Sequence, residues 1–219
     1  MPVVEPDVVP DLARQERTGQ PEVIYGPGKS PEQVLEVARA LNEARARPII
    51  LTRPTPDQVE AVLGGDPDAR YHERANVVVI RGADAPVAGR VAVVSAGTSD
   101  LPVAEEAAVV AEAFGLRVDR ITDVGVAGVH RVLERVPTLA EMECVIVVAG
   151  MEGALASVVA GLVPAPVIAV PTSVGYGASF EGLAALLGML SSCVPGVLTV
   201  NIDNGLGAAM AAHRILRGR

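Results

Sequence analysis

The sequence predicts an α/β protein: a five-stranded, doubly wound parallel sheet in a three-layer sandwich, preceded by a small N-terminal α/β domain. Three observations carry that expectation. Half of the 219 residues are hydrophobic but only 2% are aromatic, so the core must be built from Val, Ala, Leu and Ile, a mixture suited to Val-rich strands under Ala-rich helices. From Gly89 onward, Val-rich runs alternate with Ala-rich helical patterns, the rhythm of right-handed strand–helix–strand crossovers. The loops that follow those runs are rich in Gly and carry hydroxyl, amide or carboxylate side chains, and ligands of such sheets sit beyond the carboxyl ends of the strands.

Taken in order, residues 1–20 are rich in Pro and charge and are expected to form an extended or partly ordered arm. Residues 21–88 form the small domain. Val23-Ile24-Tyr25 reads as a short strand. Ser30-Pro31-Glu32-Gln33 then opens a helix with Ser at the N-cap, Pro at the first position and Gln at the third. Val34, Val37, Ala38 and Leu41 give that helix its apolar face. Gly28-Lys29-Ser30 resembles a phosphate loop only in part, because the glycine required five residues before Gly28 is Val23. Pro48–Leu51 is a strand, Thr55-Pro56-Asp57-Gln58 repeats the capping pattern before a short helix through Val62, and Asn76–Ile80 is a strand. No catalytic constellation is evident here, so cover, substrate contact or assembly is the work expected of this domain.

In the domain spanning 89–219, strands are expected at Val91–Ala96, Arg117–Thr122, Cys144–Ala149, Pro166–Val170 and Val197–Asn201. Helices are expected near 102–114, 127–135, 153–162, 179–190 and 204–216.

Charge excludes several classes of function. The net charge is −8, and no basic run forms a nucleic-acid footprint. The N-terminus, MPVVEPDVVP, lacks the basic start and apolar run of a signal peptide. Two cysteines without such a signal imply free thiols in a reducing compartment, hence a cytoplasmic location. Gly153–Phe180 and Gly182–Ile202 are uncharged and long enough to span a bilayer, but Pro164, Pro166 and Pro171 break the first and the Ser191–Gly196 turn breaks the second. Both are read as buried α/β segments rather than membrane spans.

From Cys144 to Ala212 there is no Lys, Arg or His, and the only charged side chains are Glu152, Glu181 and Asp203. A carboxylate among Gly, Ala and Val is costly to desolvate unless it is paired, exposed or employed. The strand-end loops supply its company: Gly97-Thr98-Ser99-Asp100, Asp123-Val124-Gly125, Gly150-Met151-Glu152-Gly153, the Pro171–Gly177 loop with Thr172, Ser173, Gly175, Tyr176 and Gly177, and Asp203-Asn204-Gly205 after Asn201. Together they describe a pocket for a phosphorylated or nucleotide-like molecule, with backbone N–H groups at a helix start meeting an anion. Singly each has a plainer reading. Thr98, Ser99 and Asn204 are ordinary helix caps, and Asp100 and Asp203 ordinary first-turn acids. Cys144 opens an apolar strand and reads as a small hydrophobe, whereas Cys193 lies in a polar turn where a thiol can be exposed.

Residues from about 90 onward resemble the carboxylase and mutase domain of purine biosynthesis that acts on aminoimidazole ribonucleotide, a flavodoxin-like fold. The matching pieces are Gly97–Asp100, Ala149-Gly150, Pro166–Pro171 and Asn201–Ala212. The purine enzymes carry a histidine in the loop after the third strand, where this chain has Met151-Glu152, and no histidine occurs from Cys144 to Ala212. These departures, with Pro171–Gly177, Ser192-Cys193, Arg17-Thr18-Gly19 and Gly28–Glu32, resemble the pyridinium-3,5-biscarboxylic acid mononucleotide synthase (LarB) family, over about residues 11–216.

That resemblance implies carboxylation of nicotinic acid adenine dinucleotide at C5 of its pyridinium ring by CO2 or bicarbonate, followed by hydrolysis that releases AMP, as the first step towards a nickel-pincer nucleotide. It implies Mg2+, for which Asp100, Asp123 and Asp203 are the candidate carboxylates, and neither biotin nor ATP. It implies Cys193 as the covalent nucleophile and Glu152 as the base, with burial expected to tune the carboxylate. Because Cys193 precedes the fifth strand, it is expected at the opposite end of the sheet from Glu152. A homo-oligomer, such as an octamer, is therefore implied, in which one chain's Cys193 completes a neighbour's site. Two alternatives are an aminoimidazole ribonucleotide carboxylase or mutase with displaced catalytic groups, and a nucleotide-binding module without turnover.

Overall fold

A computed structural model describes residues 8–87 and 89–218. The chain divides into two compact units, one ending at Ala85 and one beginning at Pro86.

The first unit contains α1 (Arg14–Thr18), β1 (Ile24–Tyr25), α2 (Pro31–Glu43), β2 (Ile49–Thr52), α3 (Pro56–Gly65), β3 (Arg70–His72) and β4 (Val77–Arg81). Its sheet has the order β1-β2-β4-β3, with β1 parallel to β2 and the other pairs antiparallel. Both capping boxes form: the Ser30 hydroxyl accepts from the Gln33 N–H and the Thr55 hydroxyl from the Gln58 N–H, and each glutamine returns the bond. Gly28-Lys29-Ser30 is therefore a helix start. Gln58 also ties this loop down, donating its side-chain amide to the carbonyls of Gly26 (2.9 Å) and Lys29 (2.7 Å). The buried face of α2 packs with Ile49, Leu51, Val78 and Ile80.

Two features differ from expectation. Residues 1–7 of the anticipated arm lie outside the described residues, but the rest of it is not extended. Arg14–Thr18 is helical, Gln20 is buried, and Arg17 pairs with Asp11 at 2.7 Å. Strand β3 was not anticipated, because Arg70-Tyr71-His72 is short and polar, as an exposed edge strand can be.

The second unit contains β5 (Arg90–Ser95), α4 (Leu101–Ala113), β6 (Arg117–Ile121), α5 (Val129–Leu133), α6 (Val136–Leu139), β7 (Cys144–Ala149), α7 (Ala154–Ala160), β8 (Val167–Pro171), α8 (Leu183–Leu190), β9 (Val197–Thr199) and α9 (Gly205–Leu216). All neighbouring strands are parallel, in the order β6-β5-β7-β8-β9. This is the flavodoxin-like order, which reverses direction between β5 and β7. Every residue of β7 and β8 is buried, as both faces of the sheet are covered. On one face Ala92, Val94, Val145, Val147 and Ala169 pack with Leu155, Ala156 and Val159 of α7 and Met189 of α8. On the other lie α4 and α9, packed against each other through Ala-rich faces. The scarcity of aromatic residues is thus matched by close approach of helix backbones. A Cβ on Gly205 would stand 2.4 Å from the Val103 carbonyl oxygen.

Two expected helices are interrupted. The 127–135 segment becomes a 3-10 turn at Val126–Gly128 followed by α5, with α6 a separate turn. The 179–190 segment opens as a 3-10 turn at Gly177–Gly182, and only α8 is regular, because Phe180 and Glu181 take left-handed φ values of 43° and 52°. Among the described residues, no helix is long and apolar enough to cross a membrane.

Candidate active site

A hollow of about 370 Å3 opens at the reversal point, between the loops that follow β5, β6 and β7. Gly97, Thr98, Ser99 and Asp100 form one wall and Gly150, Met151 and Glu152 another, while Asp123 comes from the loop after β6. Eight of the anticipated site residues therefore meet here. Thr98 and Ser99 are exposed, at the start of α4, where backbone N–H groups without helical partners favour an anion.

Asp100 is a strut of this wall. Its carboxylate is buried, accepting the Gly97 N–H at 2.8 Å through one oxygen and the Thr172 hydroxyl at 2.7 Å through the other. Thr172 is buried as well, so it acts beneath the hollow rather than in it.

The Glu152 turn is held from two sides. Met151 donates its N–H to the Val174 carbonyl at 2.8 Å and takes a left-handed φ of 53°, a conformation that costs a non-glycine residue energy and marks a constrained site. Close approach dictates the glycines around it. A Cβ on Gly150 would lie 2.3 Å from the Val174 carbonyl oxygen, and one on Gly188 of α8 would lie 2.5 Å from the Glu152 carbonyl oxygen. The carboxylate itself is exposed, which corrects the expectation of burial. The turn crests the end of β7, and within one chain nothing covers it.

The Met151-Glu152 turn is shared by a second, more open hollow of about 410 Å3, which Tyr176, Gly177 and Ser179 also line. Gly175 precedes this stretch and is exposed.

The remaining anticipated residues brace the loops and line neither hollow. Asp203 accepts the Ser173 N–H at 2.8 Å, Asn204 caps α9 by accepting the Gly207 N–H at 2.8 Å, and Asn201 accepts the Ile202 N–H at 2.8 Å. Glu106 of α4, not anticipated as part of the site, is buried and accepts the Leu206 N–H at 3.2 Å, adding a second fastening to the start of α9.

Cys193 is exposed and Cys144 buried, both as free thiols. Cys193 lies on the connection from α8 to β9, which enters the sheet at its amino-terminal edge, and it lines neither hollow. The turn is fastened there: the Ser192 and Ser157 hydroxyls share a hydrogen bond of 2.8 Å, and Val194 donates its N–H to Ser192 Oγ at 3.3 Å.

The three aspartates anticipated for Mg2+ do not converge. Asp100 has both oxygens engaged, Asp203 holds Ser173, and Asp123 pairs with Arg131 at 2.9 Å. Among the described residues no group of three or more His, Cys, Asp or Glu forms a metal-holding cluster. These residues do not make a metal site by themselves.

Comparison with known proteins agrees with this architecture. Residues 8–83 match the LarB/PurE-like N-terminal domain, and residues 90–219 match AIR carboxylase. The chain belongs to the LarB family, with an AIR carboxylase domain as its second half. Family membership makes it an enzyme of carboxylase or mutase type. A relative from Methanocaldococcus jannaschii, described as an uncharacterized protein, is 40% identical over 215 residues, covering 94% of this chain and 83% of its own length.

In this LarB-family chain, three contributors to the hollow escaped sequence reasoning: Ala127, Val174 and the Arg131 that pairs with Asp123. Ala127 and Val174 offer only backbone and apolar surface, and neither residue type signals a site. Arg131 lies outside the cation-free segment, on a helix whose start depends on the 3-10 turn before it.

Proposed function

We propose that this enzyme carboxylates C5 of the pyridinium ring of nicotinic acid adenine dinucleotide and hydrolyses its phosphoanhydride, giving pyridinium-3,5-biscarboxylic acid mononucleotide and AMP. The supporting observation is Glu152: an exposed carboxylate on a constrained turn, beside a small-residue loop at a helix start, in a segment without a single Lys, Arg or His. That arrangement offers an anion seat and a proton acceptor, and lacks the histidine of the purine enzymes.

An electron-poor pyridinium carbon does not attack CO2. Addition of a thiolate at C4 converts the ring to a dihydropyridine whose C5 is enamine-like and nucleophilic, and Cys193 is the thiol assigned to this step. Bond formation between C5 and CO2 leaves a C5 proton and an iminium. Glu152 removes that proton, the enamine re-forms, and its electrons expel the sulfur and restore the aromatic ring. Water then divides the phosphoanhydride. Phosphate is assigned to Gly97–Ser99 at the start of α4. The chain offers no preformed metal cage, so an Mg2+ requirement would enter with the substrate's diphosphate, and no step is assigned to it.

Cys193 lines neither hollow of its own chain. The proposed assembly is therefore a homo-oligomer in which the thiol of one subunit reaches the Glu152 hollow of another. Leu183, Leu187 and Leu190 of α8 and the nearby Leu198 are exposed in the single chain, an apolar surface compatible with such packing.

The test is mass spectrometry after incubation with nicotinic acid adenine dinucleotide, Mg2+ and labelled bicarbonate. The expected products are a labelled dicarboxylated mononucleotide and AMP, from wild type and not from Cys193→Ala. Turnover of aminoimidazole ribonucleotide instead would replace this function with the purine reaction, and binding without any product would favour a module without turnover.

A further inference from the structure

The second hollow, beyond the Met151-Glu152 turn, has walls unlike the first. The chain has five aromatic residues, three Tyr and two Phe. Two of the five stand on the loop beside this hollow, Tyr176 at 80% exposure and Phe180 at 69%. A side chain so open contributes little to a core, and in a chain this poor in aromatic surface its position calls for another use. Tyr176 lines the hollow together with the Glu152 carboxylate, and no lining residue is basic. Glu181, on the same loop, is exposed as well. The first hollow has the opposite character: it carries the start of α4, and Arg131 stands beside it, paired with Asp123.

An electron-rich phenol face beside a carboxylate, with no competing cation, attracts a flat cation and repels phosphate. A helix start does the reverse. The two hollows thus sort the two charges of one molecule, with the Met151-Glu152 turn between them.

We infer that the second hollow seats a cationic, N-substituted pyridinium ring against Tyr176, while the phosphate of the same nucleotide lies in the first hollow. This rests on the proposed function for the identity of the ring. Its physical content is narrower: the site selects the charged, oxidised ring over the same ring in neutral, dihydro form. Glu152 borders both hollows and so stands next to the ring edge without leaving its turn.

The test is calorimetric titration of the full chain with nicotinic acid mononucleotide and with its chemically reduced dihydro form, which differ in ring charge. Wild type is expected to bind the oxidised form on the order of tenfold more tightly. Tyr176→Phe should keep that preference and Tyr176→Leu should lose most of it, with unchanged thermal melting because the side chain is exposed. Equal affinity for the two forms in wild type, full preference retained by Tyr176→Leu, or no binding of either nucleotide would overturn the inference. The two proposals fail separately: charge preference without carboxylation removes only the reaction, and carboxylation without charge preference removes only the ring seat.

Discussion

Thr172 donates its hydroxyl hydrogen to the Asp100 carboxylate across 2.7 Å, and both side chains are buried. This bond joins the loop after β8 to the loop after β5, across the intervening strand β7. Because Asp100 also holds the Gly97 N–H, Thr172 fixes the shape of the anion seat from a position outside it. Replacing it by Val removes the donor and leaves a buried carboxylate oxygen without this partner. The expected loss is about 1.5–3 kcal/mol in urea unfolding, with a raised KM, and Thr172→Ser should recover most of both.

Glu152 is exposed, so Glu152→Gln should alter stability by no more than about 0.5 kcal/mol. Product formation should nonetheless fall by roughly 100- to 10,000-fold, the usual span for loss of a positioned base. Unfolding curves and turnover measured on one preparation check both halves of the expectation.

Gly188 tests the support of that carboxylate. In an open helix Gly→Ala gains about 1 kcal/mol. Here the added Cβ would meet the Glu152 carbonyl oxygen at 2.5 Å, and overpacking of this kind costs about 1–3 kcal/mol. The contact is expected to win: Gly188→Ala should be less stable than wild type and should lose activity by displacing the Glu152 turn. A stabilised, fully active variant would contradict this.

His213 supplies a pH dependence. It is buried on α9 with its ring 4.8 Å from that of Phe114, and burial, then the charges of Arg217 and Arg214, lower its pKa below the ordinary 6.5. The unfolded chain therefore takes up a proton that the folded chain resists. Stability from this group is present above about pH 6.5 and is lost as pH falls through the folded value. Thermal melting of wild type should decline over that window, and His213→Leu should flatten the decline.

Much of this was legible in the sequence because it is written in local chemistry. Ser30 and Thr55 formed the capping boxes that their third-turn glutamines implied, and the Val-rich runs became five parallel strands. The Gly97–Asp100 and Gly150–Glu152 loops met because strand ends on either side of a reversal point must meet. What was not legible depends on distance in space. Whether Asp100 is a ligand or a strut turns on Thr172, seventy-two residues away. Whether Glu152 is covered turns on what stands above the sheet, which no local pattern records. Helix 179–190 was misjudged at its start because Phe180 and Glu181 adopt left-handed backbone conformations uncommon for such residues.

The most direct measurement mixes two inactive variants. Glu152→Gln and Cys193→Ala chains, each unable to carboxylate alone, would be co-expressed in equal amounts, purified as one assembly and assayed for labelled product. If base and thiol come from different subunits, random mixing should restore about a quarter of wild-type activity, since a quarter of the sites draw the intact residue from each partner. Mixed assemblies as inactive as either variant alone would contradict the shared site and require both groups to act within one chain.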